Sequence, residues 1–239
     1  MKAFSTMFKT ELKLAIRGMD MVIFAIALPV VVMIIFGVIY ESKTTLIQSF
    51  GAVVTIAISA SGLMGLPLVV ADYRNKKILK RFKVTPVSPT MILFVQVGVN
   101  MLMSVVSLLL VYAVGAIFFQ LKLSGNWLLF LGAYFLVLIS IYSVGMMVGA
   151  ISPNIKTSNL LCSILYFPML IFSGATLPYE VMPTVLQKVA NILPLTHGIK
   201  LLKATSIGLP IENVLFPIIV MVVIAVICAC VSVRFFRWE

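Results

Sequence analysis

A chain of 239 residues that is 62% apolar and 10% charged stands apart from soluble domains, where about 45–50% and about 25% are usual. So little polar surface could not cover that much hydrocarbon in water, and a mean hydropathy of +1.18 agrees; an integral membrane protein remains. Eighteen Lys and Arg against seven Asp and Glu give a net charge of +11, but the cations cluster beside apolar stretches, as loops facing anionic headgroups do, which excludes a nucleic-acid partner in favour of membrane lipids.

Residues 1–19 read as an amphipathic helix. Phe4, Met7, Phe8, Leu12, Ala15, Ile16 and Met19 recur at the i, i+3, i+4 spacing of one face, and Lys2, Lys9, Lys13 and Arg17 fill the remainder. Such a helix lies in the membrane plane, with Phe4, Phe8, Leu12 and Ile16 in hydrocarbon and the cations toward anionic lipid. A secretory signal fits less well, because the basic region is long and no small-x-small site follows the apolar run near Tyr40.

Residues 20–239 form the membrane domain, and a spanning helix needs about 20 mostly apolar residues. The first such run covers residues 21–40, and the second lies within 44–71, from about Gly51. Ser88 followed by Pro89 reads as an N-cap with proline at the first helical position, so the third span runs over Pro89–Phe119. Trp127–Ile151 is the fourth, residues 157–173 follow the Ser152-Pro153-Asn154 turn as the fifth, and residues 214–233 are the last. Six spans are expected. Residues 174–198 sit between the last two, interrupted at Gly174, Pro178, Pro183 and Pro194, yet apolar at Val181, Val185, Val189 and Ile192. That pattern predicts short helical pieces dipping into the outer face, since the prolines forbid a full span and irregular backbone must pack against protein.

Orientation follows from the cations. With a cytoplasmic amino terminus, the inner side holds Lys2, Lys9, Lys13, Arg17, Arg74, Lys76, Lys77, Lys80, Arg81, Lys83, Lys156, Arg234 and Arg237. The outer side holds Lys43, Lys122, Lys188, Lys200 and Lys203, so both termini are expected inside the cell membrane.

Catalytic signatures are not visible. The chain has no phosphate-binding Gly-x-x-x-x-Gly-Lys-[Ser/Thr] loop, no His-Glu-x-x-His, no Gly-x-Ser-x-Gly and no paired carboxylates within a span. Its seven acids fall at span ends or in loops, where ion-coupled transport would call for an ionisable group at mid-membrane. The lone His197 reads as structural, and Cys162, Cys228 and Cys230 lie in apolar runs without metal or disulfide spacing. No metal, cofactor or catalytic residue is assigned to this chain, and any energy must come from a partner.

Residues 72–88 are the most specific stretch. Ile78, Leu79 and Phe82 share one side of a short helix ringed by Lys76, Lys77, Lys80, Arg81 and Lys83, and Val84-Thr85-Pro86 turns the chain back to the membrane. Three apolar side chains in so charged a loop point to a docking surface. The run Leu79-Lys-Arg-Phe-Lys-Val-Thr-Pro-Val-Ser88 resembles the end of the first cytoplasmic loop in permease subunits of type-2 ABC exporters. Phe172-Ser-Gly-Ala-Thr-Leu-Pro178, Met182-Pro183 and Leu193-Pro-Leu-Thr196 are similar to that family's outer segment. The chain departs from the family at Asn75 and Lys77, where an acid and a glycine are common, so the loop is unusually basic.

The resemblance implies an all-α, type V exporter-like fold: an interfacial helix, six spans and a re-entrant outer segment before the last. It implies a second permease subunit, either another copy or a sister chain, and two copies of a separate cytoplasmic ATPase that binds ATP and Mg. Arg74, Lys76, Lys77, Ile78, Leu79, Lys80, Arg81 and Phe82 would receive the ATPase. Spans rich in Met101, Met103, Met146 and Met147 and almost free of charge suit a hydrophobic or amphipathic cargo, a drug, peptide or lipid-like molecule, while related permeases leave glycan and sodium export open as alternatives. Gly145-x-x-x-Gly149 fits either a seam between subunits or packing within one. A channel, or a scaffold or immunity-type membrane protein without an ATPase, is the competing reading.

Overall fold

The computed structural model describes residues 2–19, 22–40, 42–78, 89–176, 179, 182–210 and 214–235. Among them the regular structure is helical throughout: α1 (Lys2–Arg17), α2 (Ile23–Ile39), α3 (Lys43–Asn75), α4 (Pro89–Phe119), α5 (Trp127–Ile151), α6 (Ile155–Phe172), α7 (Thr184–Ala190), α8 (Pro194–Ile207) and α9 (Leu215–Phe235). Five of these, α3 to α6 and α9, are long and apolar enough to cross a membrane, while α2 is a shorter apolar helix.

Two helices open into wider π turns, at Ile23–Ala27 and Ala60–Gly65. Each turn stops just short of a proline, Pro29 or Pro67. Proline lacks an N–H and its ring crowds the carbonyl four residues back, so the turn ahead of it widens to i→i−5 bonding. The amide of Leu28 accordingly reaches the Ile23 carbonyl, and that of Leu66 the Ser61 carbonyl.

The centre of the molecule is α3. Phe50, Val53, Ile56, Ile58, Leu63 and Leu66 on it are almost wholly enclosed. Between apolar helices in lipid no water is released by association, so close van der Waals contact decides which faces meet. Gly145 on α5 shows this: a methyl there would overlap the Gly62 carbonyl oxygen, and one on Gly149 would sit 3.2 Å from Pro67 Cα. The two-glycine motif therefore seats α5 against α3 inside this chain. Along its length α5 is also the main support of α9.

The helix α8 lies across half of α3. A methyl on Gly198 near its start would be 3.0 Å from Val137 and 3.5 Å from Thr55, which fits that start closely against α5 and α3. At its other end Ser206 donates to the Ile47 carbonyl at 3.3 Å and accepts from the Gly125 amide at 3.1 Å. The helix thus ends beside the Lys43 end of α3, and Gly51 lets its backbone approach, with Lys203 N 2.8 Å from where a Cβ would stand.

The expected third and fourth spans coincide with α4 and α5. The second starts earlier than Gly51, at Lys43, because Leu46, Ile47 and Phe50 are buried, and it runs on to Asn75. The first is trimmed to α2.

Candidate functional site

The last turn of α3 carries Tyr73 and Arg74, which successive helical positions aim in different directions. Tyr73 faces α1 and α4. Its hydroxyl donates to Glu11 Oε1 at 2.5 Å, while Gln96 Nε2 donates to Glu11 Oε2 at 2.6 Å and to the Tyr73 oxygen at 3.1 Å. Glu11 is thus met by two donors from two other helices, which locks the amino-terminal helix to the bundle.

Arg74 faces the end of α5. Its guanidinium donates to the carbonyls of Gly149 at 3.1 Å, Ala150 at 3.4 Å and Ser152. The last carbonyls of a helix have no intrahelical partner and carry the negative end of its dipole, so a cation placed there satisfies both needs. This explains how a charged side chain is tolerated at only 7% exposure. Arg74, expected on the docking surface, is buried and faces inward as a cap on the end of α5.

Beyond this turn, Lys76 pairs with Asp72 at 2.7 Å, an exposed pair one turn apart that contributes little. Lys77 is exposed and ends the helix at φ 56°, and Ile78 is half-buried. Leu79, Lys80, Arg81 and Phe82 lie outside the described residues.

On α1 the apolar stripe divides. Phe8 and Leu12 are half-buried, Phe8 standing 3.2 Å from where a Gly98 Cβ would be, so this part of the stripe turns to α4 instead of to lipid. Phe4 and Ile16 are exposed.

Within the bundle, Gln96, Asn100, Ser104 and Ser107 form a polar face on the otherwise apolar α4, all of them buried. Ser104, Ser61 and Tyr142 close a triangle of hydroxyls, 2.7 Å between the serines and 2.9 Å from each to Tyr142. Sequence reading missed this face; its 4-4-3 spacing was the available signal.

At the opposite end, Gly174 is buried with φ 87°, a left-handed turn just past α6 that a side chain would strain. Pro183 precedes α7 and Pro194 opens α8, two positions where a missing N–H costs nothing. Pro178 is outside the described residues. Between the helices Asn191 ties three partners: Tyr179 Oη at 2.9 Å from Nδ2, Lys200 Nζ at 2.7 Å from Oδ1, and His197 Nε2 at 2.8 Å from its carbonyl. Lys200 also lies 4.3 Å from the centre of the Tyr179 ring. Burial pulls the His197 imidazole below its ordinary 6.5, with the Asn191 carbonyl opposing and Lys200 assisting. Asn191, His197, Lys200, Phe216 and Pro217 line a cavity of about 520 Å³.

Residues 2–207 match the model of the family described as ABC-2 type transporter. Among curated relatives, nodulation protein J of Rhizobium leguminosarum bv. viciae is 36% identical over 95 residues, 40% of this chain and 37% of that one. Its namesake from Neorhizobium galegae is 32% identical over 72 residues, 30% and 28% of the two chains. The match thus spans well under half the length of these relatives. A longer alignment, 22% identical over 199 residues and 78% of both chains, joins it to the transport permease YvfS of Bacillus subtilis (strain 168).

Proposed function

This chain belongs to the ABC-2 type transporter family, and we propose that it is the multi-pass permease subunit of an ATP-driven exporter in the cell membrane. In this reading the basic end of the bundle and both termini are cytoplasmic, α2 joins the five longer helices as a sixth span, and residues 174–198, which include α7, form the re-entrant outer segment. Two copies of a separate ATPase, each holding ATP and Mg, dock on the loop that leaves α3. The chain pairs with a second permease subunit, a copy or a sister, and moves a drug, peptide or lipid-like amphiphile outward.

The observation that carries this reading is the fastening of the loop's stem. Tyr73 and Arg74 tie the last turn of α3 to α1, α4 and α5. A push on the loop therefore reaches three other helices without first being absorbed by flexible backbone. Lys76, Lys77 and Ile78 supply the described part of the docking surface, with Leu79, Lys80, Arg81 and Phe82 continuing it.

The test is co-purification of the native complex followed by ATPase and transport assays in vesicles, comparing wild type with Leu79→Asp and Phe82→Asp. Loss of the stoichiometric ATPase, or transport cut about tenfold or more per ATP hydrolysed, is the expected result. Unchanged coupling in both variants would remove the docking role. A preparation from its native host that never carries an ATPase would remove the exporter reading.

A further inference from the structure

A second cavity, of about 150 Å³, opens where the end of α2 meets the start of α3. Phe36 and Tyr40 form one wall from α2, Thr45 and Gln48 a second from α3, residues 174–176 past α6 a third, and Lys203 of α8 the fourth. Four segments far apart in the chain thus meet around one space, large enough for about ten water molecules.

Tyr40, Thr45 and Gln48 are half-buried. Tyr40 Oη, Thr45 Oγ1 and the Gln48 carboxamide have no hydrogen-bond partner among the described residues, and unlike His197 Nδ1 none of them is sealed from solvent. They remain open to whatever enters the cavity. Each hydroxyl both donates and accepts, and the carboxamide offers two donors and an acceptor. An anion would use only the donors and would face Gln48 Oε1. A bare cation would find no carboxylate on the described lining. A neutral polyol serves donors and acceptors together. The rings of Phe36 and Tyr40, tilted to each other with centres 5.4 Å apart, add an apolar wall for the C–H edge of a sugar. Ile35, Val38 and Ile39 on the same helix are exposed, so hydrocarbon attached to such a head has a surface to follow.

We propose that this cavity binds the neutral, hydroxyl-rich head of a sugar-bearing amphiphile, with Thr45 and Gln48 holding its hydroxyls and Tyr40 offering both ring and phenol. A membrane glycolipid and a free sugar present the same chemistry. The binding does not rest on the permease reading and needs no ATPase.

The probe is monoglucosyldiacylglycerol, its retention by the full chain read by native mass spectrometry. The detergent is a polyoxyethylene ether, because a maltoside would itself compete for the site. Wild type should hold the glucolipid above diacylglycerol of the same chains, which lacks the sugar, and above phosphatidylglycerol, which adds a charge. Gln48→Leu should lower that retention about fivefold to tenfold, and Tyr40→Phe about twofold to threefold. Thr45→Val should lower it as well, while Thr44→Val, the same change one residue earlier and off the cavity wall, should not. A merely misfolded chain would not tell those two apart. Equal retention of diacylglycerol, a preference for phosphatidylglycerol, or retention untouched by Gln48→Leu overturns the site. Excess glucose separates the two sources: displacement of the glucolipid means that a free sugar suffices, and no displacement means that the hydrocarbon along α2 is required. Both results support the site.

Discussion

The two ends of the bundle treat buried polar groups in opposite ways. At the basic end, Arg74 spends its donors on three carbonyls and Glu11 receives a donor on each oxygen. At the other end, among the described residues, Lys200 is met by the neutral Asn191 amide and the Tyr179 ring, and His197 Nδ1 has no hydrogen-bond partner. A fully satisfied network resists rearrangement, because moving one member strands the others.

Arg74→Leu should break that contrast most severely. It removes the cap on α5 and strands three carbonyls, and the expected loss is about 2–3 kcal/mol, read as a lowered unfolding midpoint of the detergent-purified chain. Arg74→Lys should recover part of it, since the compact ammonium lacks the planar fork with which the guanidinium spans the three carbonyls. An unchanged midpoint in Arg74→Leu would mean that the cap does not hold the stem.

Tyr73→Phe tests the other side of the same turn with a smaller effect. It takes one donor from Glu11 and one acceptor from Gln96 at a cost of about 1 kcal/mol. Amide exchange should quicken in α1 and stay the same in α5. Equal quickening in both helices would show that the two ties are not separate.

The least effect belongs to pH at the His197 end. His197 is held below its ordinary value chiefly by burial, so the folded chain resists the proton that the unfolded chain accepts. As pH falls through 6.5 the unfolded state binds protons first and stability declines, levelling off once the folded imidazole is also protonated. Wild type should therefore lose stability on acidification through this window while His197→Phe loses less. Identical pH profiles would show that the imidazole is more open to water than its burial implies.

Much of the helix layout was legible in sequence, and its limits have physical reasons. The bounds of α4 and α5 could be read because each start carries a local signal: Pro89 at the first residue of one, and Asn126 capping the other by accepting from the Leu128 amide. The start of α3 was obscured by Thr44, Thr45 and Gln48, whose polarity hid the buried Leu46 and Ile47 between them. Arg74 reads as one more loop cation until the end of α5 is brought against it, an encounter between residues far apart in the chain. The lipid-facing and protein-facing sides of α1 likewise share one apolar stripe, and only the position of α4 separates them. The cavity around His197 assembles from residues 191 to 217 on several elements, with no motif to announce it.

The wide turn at Ala60–Gly65 has a mechanical meaning of its own. A π turn stores one residue more than the α-helical path requires, held here between Gly62, wedged on Gly145, and Pro67. Were that surplus residue released into ordinary α geometry, everything from Leu66 to Asn75 would advance by about 1.5 Å and swivel by about 100°. Tyr73 and Arg74 would exchange their present neighbours in one step. The same helix that is rigid in tension from its lower end thus carries its own slack, one residue long, at mid-height.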